Sequence, residues 1–498
     1  MLPLEGGRMK GFETMKHIGL LITLLLPLAT RLAAEPAKPN VIVILADDMG
    51  YSDLGVQEVR KDLKTPNLDA LAAGGVRCTA GYITSPQCSP SRAGLITGCY
   101  QQRYGIDTIP DMPLPREAVT LAERLGPAGY RCGFVGKWHL EPNVTCTKWM
   151  EKELPACAKL PLNQRRIPQA KILSYSPSAQ GFHEFFWGEM LHYRANFALD
   201  GRDLKPEGEV VAMPNGFRID VQTRAAVTFI ERNYAKPFYL HIGYYGPHTP
   251  LEATKKYLDR FPGPMPERRR YALAMIAAID DGIGEIMKKL REHGLEKNTL
   301  VIFTSDNGAP LKITKEDSPI KGDPGGWDGS LNDPWIGEKG MLSEGGIRVP
   351  MLFSWRGTLP AGNVYAHPVS SLDFAATANA LAGLPDTSTL DGVNLLPFLT
   401  GKNPGAPHDR LCWRFWNQAA IREGQWKYLS GGGKSEFLFD LGSDAQETKN
   451  LITQHPERAA TLRAKLAEWT RQFQPPGIPD KPRNDQEAKW YQHYFERE

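Results

Sequence analysis

Val41-Ile42-Val43-Ile44-Leu45 is a continuous apolar run, and after Ala46 it is followed by the acidic pair Asp47-Asp48. A run of this length without polar alternation is typical of a strand buried on both faces of a parallel sheet. Three more runs have the same form. Residues 132–135 precede Lys137 and His139, residues 238–240 lead to Pro247-His248, and residues 300–303 lead to Asp306-Asn307.

Helical patterns separate these predicted strands. Residues 67–73 and the longer stretch 271–290, which is rich in Ala, Ile and Met, are the clearest examples. Alternation of strands and helices predicts a layered α/β fold. Because ligands of such folds bind outside the carboxyl ends of the strands, the polar residues at the four strand ends are candidates for a single site.

The composition changes after residue 401. Residues 402–408 are rich in Gly and Pro and are typical of a linker, and residues 420–422, 426–429 and 437–439 predict short antiparallel strands. Spacings of +4, +3 and +4 predict one apolar helix face formed by Leu462, Leu466, Trp469 and Phe473. We therefore expect a large domain at residues 35–402 and a smaller α+β domain, an antiparallel sheet with a helix, at residues 403–498.

The overall charge is close to neutral. The 59 Lys and Arg residues against 56 Asp and Glu residues give a net charge of +3 over 498 residues, and 41% of the residues are hydrophobic. This balance argues against a dedicated nucleic-acid binder, and the hydrophobic content argues against a disordered chain.

The N-terminus has the features of a secretory signal peptide. Residues 18–29 are apolar, Lys10 and Lys16 precede them, and Leu32-Ala33-Ala34 resembles a cleavage site. We expect residues 1–34 to be removed and the mature protein to be periplasmic or secreted, with no stable membrane span after cleavage. The alternative is an uncleaved anchor, although so short an apolar run does not span a bilayer.

The chain has seven cysteines, an odd number that leaves at least one thiol unpaired in an exported protein. Cys88 lies in the most informative stretch, where Ser89-Pro90 is a good N-cap and N1 pair and Gly98 is a plausible stop. These residues predict a short helix that begins just after Cys88, with Arg92 one turn further on. The simplest alternative is a buried or disulfide-bonded cysteine beside a turn.

Cys88-Ser89-Pro90-Ser91-Arg92, followed by Leu95 and Thr97-Gly98, resembles the signature of the type I sulfatases of the alkaline-phosphatase superfamily. The resemblance implies a large mixed, mostly parallel sheet flanked by helices. It also implies that a formylglycine-generating maturation enzyme converts Cys88 to formylglycine, an aldehyde whose hydrate is the nucleophile.

Two acidic segments resemble the metal-binding segments of the same family, Asp47-Asp48-Met49-Gly50 and Thr304-Ser305-Asp306-Asn307-Gly308. The resemblance implies Ca²⁺ held by Asp47, Asp48, Asp306 and Asn307. Three carboxylates and an amide carbonyl form a hard oxygen set, which suits Ca²⁺ or Mg²⁺ rather than zinc.

The remaining family-like segments carry basic residues. Gly136-Lys137-Trp138-His139, Pro247-His248-Thr249-Pro250 and the run from Lys339-Gly340 to Arg348-Val349-Pro350 resemble catalytic segments of the family. The resemblance assigns catalytic roles to Cys88, Arg92, Lys137, His139, His248 and Lys339. In the implied reaction the formylglycine hydrate attacks sulfur, His248 and Lys339 assist departure of the alcohol, and His139 takes a proton as sulfate is expelled.

These features predict an exported sulfuric ester hydrolase that acts on a sulfated carbohydrate or a small sulfate ester. Two alternatives are a phosphonate or phosphate ester hydrolase of the same superfamily and a non-catalytic sulfoglycan-binding relative. Candidate sugar contacts are Trp149, His192, Tyr193, Trp327, Asn332 and Trp335. If Cys88 is modified, six thiols remain, and Cys146 with Cys157 is the first candidate disulfide.

Overall fold

A ten-stranded mixed sheet runs through the computed structural model of the chain. The structure describes residues 38–496, apart from 110–111, 189–190, 214–215, 318–319, 321–322, 324–325, 385–387, 433–434 and 483–484. The predicted signal peptide therefore lies outside the described residues. Within the described part of the chain, no helix combines the length and apolar character needed to cross a bilayer.

Within the described residues, the strands form three sheets of ten, two and four members. Their bounds are β1 (Asn40–Asp47), β2 (Gly75–Cys78), β3 (Gly81–Tyr82), β4 (Arg131–Gly136), β5 (Glu184–Gly188), β6 (His192–Ala195), β7 (Glu209–Ala212), β8 (Phe238–Pro247), β9 (Thr299–Ser305), β10 (Met351–Ser354), β11 (Asn363–Tyr365), β12 (Val369–Ser370), β13 (Arg410–Phe415), β14 (Gln418–Glu423), β15 (Trp426–Gly431) and β16 (Glu436–Asp440).

The α-helices of the described residues range from single turns to a helix of 26 residues. Their bounds are α1 (Pro66–Ala73), α2 (Cys88–Thr97), α3 (Leu121–Leu125), α4 (Thr147–Glu153), α5 (Pro155–Ala158), α6 (Gln169–Leu173), α7 (Arg218–Asn233), α8 (Lys255–Leu258), α9 (Glu267–Glu292), α10 (Glu344–Ile347), α11 (Asp373–Leu381), α12 (Leu396–Leu399), α13 (Pro456–Thr470) and α14 (Gln486–Phe495).

The four predicted apolar runs are four adjacent strands at the centre of the large sheet. The strand order is β11-β2-β10-β9-β1-β8-β4-β5-β6-β7, and β9, β1, β8, β4 and β5 are parallel to their neighbours in this central part. Antiparallel pairs at both ends make the sheet mixed. The predicted α/β class, with a large mixed and mostly parallel sheet, is confirmed.

Strand β1 shows why its sequence is apolar at every position. Ile42 and Ile44 belong to a core on one face of the sheet, which contains residues of α7 and α9. Val41, Val43 and Leu45 belong to the core on the other face, which contains residues of α2, α3 and α11. All eight residues of β1 are buried, so each face of the strand contributes to a different core.

Helix α2 begins two residues before the predicted N-cap and N1 pair, Ser89 and Pro90. Its N-cap is Gln87, whose backbone is extended and whose carbonyl accepts the Ser91 N–H at 3.1 Å, so Ser89 lies inside the first turn. Every residue of the helix is buried, which lets packing override the weaker capping preference. Gly98 ends the helix in the left-handed region at φ 70°, as predicted.

The C-terminal part contains an antiparallel sheet in the order β13-β14-β15-β16. Three of its strands match the predicted ones, whereas β13 and helix α14 were not predicted. Leu462, Leu466 and Trp469 of α13 pack on one face of this sheet, and Phe473 joins them from just beyond the end of the helix. Tyr491 of α14 packs on the opposite face.

A fully buried ionic network joins the C-terminal sheet to the segment before β10. Lys427 Nζ of β15 lies 2.8 Å from Glu344 Oε1 and 2.8 Å from Glu447 Oε1. Glu344 Oε2 accepts the Tyr82 hydroxyl at 2.7 Å and Arg348 Nη1 at 3.1 Å. Each charge therefore has at least one opposite charge beside it, which offsets the cost of burial.

The Cys146–Cys157 disulfide suggested by the sequence is not formed. Cys146 Sγ accepts the Asn143 N–H at 3.4 Å, and Cys157 Sγ accepts the Arg166 N–H at 3.2 Å. Cys146 lies in a small apolar cluster with Trp149 and Met150, against which Cys157 packs. Local packing and backbone contacts therefore occupy both sulfurs.

Lys427→Met should lower the free energy of unfolding by about 3–5 kcal/mol, because it leaves Glu344 and Glu447 buried without their shared cation. Thermal denaturation of the purified variant measures the loss. Lys465→Met is the matched control, since Lys465 pairs with Glu423 at a partly exposed position and should change the stability by less than about 1 kcal/mol. Equal midpoints for the two variants would contradict the structural role of the network.

His408 provides a pH-dependent contact at the end of the Gly/Pro-rich linker. Its Nε2 lies 2.9 Å from both carboxylate oxygens of Asp373. Burial lowers the pKa of His408, but the Asp373 carboxylate more than offsets this effect, so the pKa is raised above its usual value. The stabilisation is therefore complete below the unfolded-state pKa of about 6.5 and is lost as the pH rises through the higher folded-state pKa.

His408→Gln should accordingly destabilise the protein most below about pH 6.5, and the difference from wild type should shrink as the pH rises. Denaturation midpoints measured across this range test the expectation. His367→Gln at an exposed histidine serves as the control. A destabilisation that does not change with pH would rule out the charged form of His408 as its source.

Candidate active site

The carboxyl ends of the central strands bring the predicted site residues together. Asp47 ends β1, Asp306 follows β9, Lys137 follows β4 and His248 follows β8. Reactive atoms of Asp47, Cys88 and Asp306 lie within 4.8 Å of one another, and so do those of Asp47, Asp48 and His248. The predicted convergence of the strand ends is therefore present in the structure.

Three cations lie against the three carboxylates. Arg92 donates from Nε and Nη2 to Asp306 Oδ2 at 2.9 and 2.7 Å. Lys137 Nζ donates to Asp47 Oδ2 at 2.6 Å, and Lys339 Nζ donates to Asp48 Oδ1 at 2.6 Å. Each of these three cations thus contacts a different predicted metal ligand, and the paired charges gather at the carboxyl ends of the central strands.

Two buried oxygens of the acidic set accept no hydrogen bond. Asn307 Nδ2 donates to Asp48 Oδ1 and to the Gly308 carbonyl, while Asn307 Oδ1 has no donor. Asp47 Oδ1 also lacks a hydrogen bond and lies 3.6 Å from Arg92 Nη2. Buried polar oxygens without donors are costly, and a bound cation would satisfy both of them. The donor set therefore fits a hard divalent cation.

The titration of the carboxylates reflects this crowding. Burial and the neighbouring Asp47 charge raise the pKa of Asp306 to about 7, although Arg92 opposes them. For Asp47, burial raises the pKa, but the charges of Lys137, His248 and Arg92 outweigh it and hold the pKa well below its usual value. The carboxylates therefore differ: burial and repulsion from Asp47 dominate at Asp306, whereas attraction by the neighbouring cations dominates at Asp47.

Cys88 is the first residue of α2 and is 1% exposed. Burial raises the pKa of its thiol, while Lys339 and Lys137 oppose the shift. The thiol is therefore protonated at neutral pH and is a poor nucleophile in this form.

The two predicted histidines differ in their surroundings. His139 has a positive φ of 58°, and its buried Nδ1 has no hydrogen bond. Burial, together with the charges of Lys137 and Arg92, lowers the pKa of His139 well below its usual value. His248 Nδ1 contacts the Thr249 carbonyl, its Nε2 lies 3.6 Å from Asp48 Oδ2, and burial lowers its pKa to about 4. Both rings are neutral at neutral pH.

Lys339 is positioned by backbone and by the small C-terminal sheet. Its own N–H donates to the Ala309 carbonyl at 3.1 Å, and the next residue, Gly340, donates to the Pro86 carbonyl at 2.9 Å. Gln418 Nε2 of β14 donates to the Gly340 carbonyl at 3.0 Å. The C-terminal sheet therefore contacts the segment that carries a predicted catalytic residue.

Sequence reasoning missed two residues of the site. Asp328 is 3% exposed, accepts the Thr249 N–H at 3.4 Å and has its pKa raised well above the usual value by burial and by the Asp48 charge. Tyr245 places its ring 5.0 Å from Lys137 Nζ. Asp328 belongs to no recognisable motif. Tyr245 lies in β8 between the predicted apolar run and His248, so its position near the end of this strand could have identified it.

Most of the predicted sugar contacts are packing residues. Trp149, Tyr193, Trp327 and Asn332 are at most 5% exposed. Asn332 donates to the Ala309 and Gly337 carbonyls, and Trp335 stacks on Arg348 at 3.9 Å. Only His192 of the six is exposed. The aromatic residues were predicted to be sugar contacts only because they are aromatic. Aromatic residues are also common in the core of the protein, so residue type alone did not separate the two roles.

Comparison with known proteins agrees with the site geometry. Residues 39–384 match the family model described as Sulfatase, and residues 335–474 match a model described as N-sulphoglucosamine sulphohydrolase, C-terminal. The chain belongs to the sulfatase family. Its relatives are named as sulfatases, so the chain is a sulfuric ester hydrolase, and the resemblance recognised from the motifs is confirmed.

Several relatives of this sulfatase span most of its length. N-acetylgalactosamine-6-sulfatase of Mus musculus is 31% identical over 89% of this chain and 82% of its own length. Arylsulfatase D of Homo sapiens is 29% identical over 79% of this chain and 73% of its own length. A crystal structure of Ps i-CgsB in complex with k-i-k-neocarrahexaose is 28% identical, with a TM-score of 0.71, over 91% of this chain and 97% of its own.

Proposed function

We propose that this sulfatase is exported and removes sulfate groups from a sulfated carbohydrate, using Ca²⁺ and a formylglycine formed from Cys88. The observation that carries the proposal is the meeting of a buried Cys88 with three carboxylates, three cations and two donor-less oxygens at one sheet edge. A sulfate monoester resists nucleophiles because its oxygens are anionic, and concentrated positive charge counters that repulsion.

The proposed cation ligands are Asp47, Asp48, Asp306 and Asn307. Bound there, Ca²⁺ would neutralise the crowded carboxylates and polarise a sulfate oxygen. Mg²⁺ has the same ligand preference but demands a stricter octahedral geometry. The donor-less Asp47 Oδ1 and Asn307 Oδ1 support this assignment, since no protein donor of the described residues reaches them.

The environment of Cys88 supports its modification. A buried thiol with a raised pKa remains protonated, so the unmodified residue lacks the thiolate that nucleophilic catalysis needs. Converted to formylglycine by a maturation enzyme, position 88 would supply a hydrated aldehyde as the nucleophile. Arg92 and Lys137 lie beside this position and are suited to orient it.

The proton-transfer groups have complementary states. The pKa of Lys339 is lowered by burial but raised more strongly by the Asp48 and Asp47 charges, so its ammonium holds a proton to give to a departing alcohol. His248 is neutral, and an Nδ1–H directed at the Thr249 carbonyl leaves Nε2, 3.6 Å from Asp48 Oδ2, as the nitrogen that exchanges a proton. His139 is neutral, with its partnerless Nδ1 able to accept one.

The carbohydrate substrate class rests on the relatives. One relative is named N-acetylgalactosamine-6-sulfatase, and a solved structure of 28% identity holds a neocarrahexaose. We extend the carbohydrate preference to this chain, together with removal of residues 1–34, a catalytic domain at residues 35–402 and a C-terminal subdomain at residues 403–498.

Protein produced with a formylglycine-generating enzyme should show a peptide in which Cys88 is lighter by the difference between a thiol and an aldehyde side chain. Mass spectrometry of the digest measures this, and the Cys412 peptide should keep its thiol in the same sample. Cys88→Ala should abolish turnover of 4-methylumbelliferyl sulfate, because it removes the nucleophile.

Cys412→Ala is the matched control, since Cys412 lies in the C-terminal sheet and should leave turnover intact. Full activity of Cys88→Ala would contradict the assignment of Cys88 as the precursor of the nucleophile. An unmodified, inactive wild-type protein would favour the binding-protein alternative, and preferential turnover of an aryl phosphate diester would favour the phosphate ester hydrolase.

Ca²⁺ should raise the thermal midpoint of the chelator-treated protein, because binding to the folded state alone stabilises it by about 2.7 kcal/mol at a hundredfold excess over Kd. Differential scanning calorimetry measures the shift without reference to activity. Asp306→Asn should remove most of it. Asp281→Asn, which changes a carboxylate paired with Arg260 on the surface, should keep it. Equal shifts in both variants would contradict the proposed ligand set.

A further inference from the structure

We propose that residues 143–173 form a basic wall beside the reacting group, where a second anionic group of an oligosaccharide substrate binds. This inference rests on the proposed carbohydrate function and adds a subsite to it. The basic wall contains Lys148, Lys152, Lys159, Arg165, Arg166 and Lys171 against Glu151 and Glu153, a net charge of 6 − 2 = +4. The whole chain carries +3, so the remainder is slightly acidic.

The basic wall borders a cavity close to the reacting group. The cavity measures about 450 Å³ and is lined by Glu141, Asn143, Arg165, Arg166 and Trp187, among others. Glu141 is two residues beyond His139, so their Cα atoms are at most about 7 Å apart. Trp187 is the register partner of Gly136, the residue before Lys137. A sugar next to the one that carries the reacting sulfate can therefore reach the cavity.

Aromatic side chains anchor the basic wall to the core. Trp138 Nε1 donates to the Tyr175 carbonyl at 2.8 Å, and Trp149 Nε1 donates to the Tyr175 hydroxyl at 2.9 Å. Cys146, Trp149 and Met150 form a buried cluster beneath the short helices α4 and α5. The cavity is therefore built on packed structure, and its shape is available before a ligand binds.

The two arginines that line the cavity form no ion pair among the described residues. Arg165 donates to the Leu160, Val144 and Ala158 carbonyls and to Thr147, and Arg166 donates to the Asn163 and Arg165 carbonyls. All of these acceptors are neutral. Neither guanidinium has a carboxylate within 4.0 Å among the described residues, unlike the cations of the reacting centre. A sulfate or carboxylate group would supply the missing charge.

Trp187 adds a second, independent indication of a ligand. The side chain is 9% exposed, and its buried Nε1 has no hydrogen-bond partner in the described part of the chain. A buried indole N–H usually has an acceptor, so this one is suited to a ligand oxygen. Glu141 at the same cavity is suited to a sugar hydroxyl. Together they describe a site for an anionic sugar with hydroxyl groups, which is the expected chemistry of a sulfated oligosaccharide.

The test compares two substitutions that remove the same charge. Arg166→Gln alters the basic wall, and Arg356→Gln alters an exposed arginine that follows β10, which β9, β1 and β8 separate from β4. Both are placed in the Cys88→Ala background so that ligands are not turned over. Isothermal titration at low salt gives the affinity for hexasaccharides of iota-carrageenan, which carries sulfate alone, and of chondroitin 6-sulfate, which also carries carboxylate.

Arg166→Gln should weaken binding of at least one hexasaccharide by about tenfold, the effect of losing a hydrogen bond to a charged group, and Arg356→Gln should leave it unchanged. Loss for both ligands identifies sulfate as the recognised group, and loss for chondroitin 6-sulfate alone identifies carboxylate. The difference should shrink as salt is added. Trp187→Phe, which removes the N–H but keeps an aromatic ring, provides a second variant with the same expected direction.

The proposal fails if neither hexasaccharide binds the Cys88→Ala protein, or if Arg166→Gln and Arg356→Gln have equal affinities. Turnover of 4-methylumbelliferyl sulfate by the protein with Cys88 intact is measured in parallel. This small substrate does not reach the basic wall, so Arg166→Gln should leave its kcat/KM unchanged. Absent turnover in wild type would point to failure of the proposed function, whereas normal turnover with unchanged oligosaccharide affinity would overturn the subsite alone.

Discussion

Burial of three carboxylates at one edge of a sheet depends on the three cations that contact them. Asp306 is held by Arg92, Asp47 by Lys137 and Asp48 by Lys339, at distances of 2.6–2.7 Å. Isolated charges in such a position would be strongly unfavourable, and the paired set is tolerated because each member has an opposite charge in contact. The same pairing brings Arg92 and Lys137 close to Cys88. The cations that make burial of the carboxylates possible are therefore also the cations that the proposed sulfate chemistry needs.

The central strands create the edge where these charges meet. Because β9, β1, β8 and β4 are parallel and adjacent, their carboxyl ends lie side by side. Their apolar residues belong to cores on both faces of the sheet, which makes the strands rigid supports. The loops that follow them therefore place polar side chains with little freedom, as a preorganised site requires.

The C-terminal sheet contributes to the same site through a second buried network. Lys427 holds Glu344, which follows Lys339 by five residues, and Gln418 contacts the Gly340 carbonyl. Tyr491 of α14 donates to Gln418 at 2.6 Å and extends this support. The two parts of the chain are thus linked by hydrogen bonds and ion pairs next to a proposed catalytic lysine. The proposed basic wall carries a net charge of +4, whereas the remainder of the chain is slightly acidic.

The sequence by itself determined the four central strands, their parallel class and the polar residues at their ends. Continuous apolar runs report burial on both faces, and that signal is local to each strand. It also identified the family, because the residues around Cys88 and in the metal-binding segments are contiguous. The apolar spacing from Leu462 to Trp469 predicted α13 for the same reason.

Only the tertiary structure decided which residues contact one another across the chain. Asp328 joined the site through a loop with no motif, and Trp149 and Tyr193 proved to be packing residues, because aromatic type does not reveal what surrounds a side chain. The start of α2 moved to Cys88 because packing of all its residues outweighed a local cap. The sequence likewise could not show that Arg165 and Arg166 lack an ion-pair partner within the described part of the chain. Whether a carboxylate lies within contact distance depends on the folded structure and not on the spacing of residues along the chain.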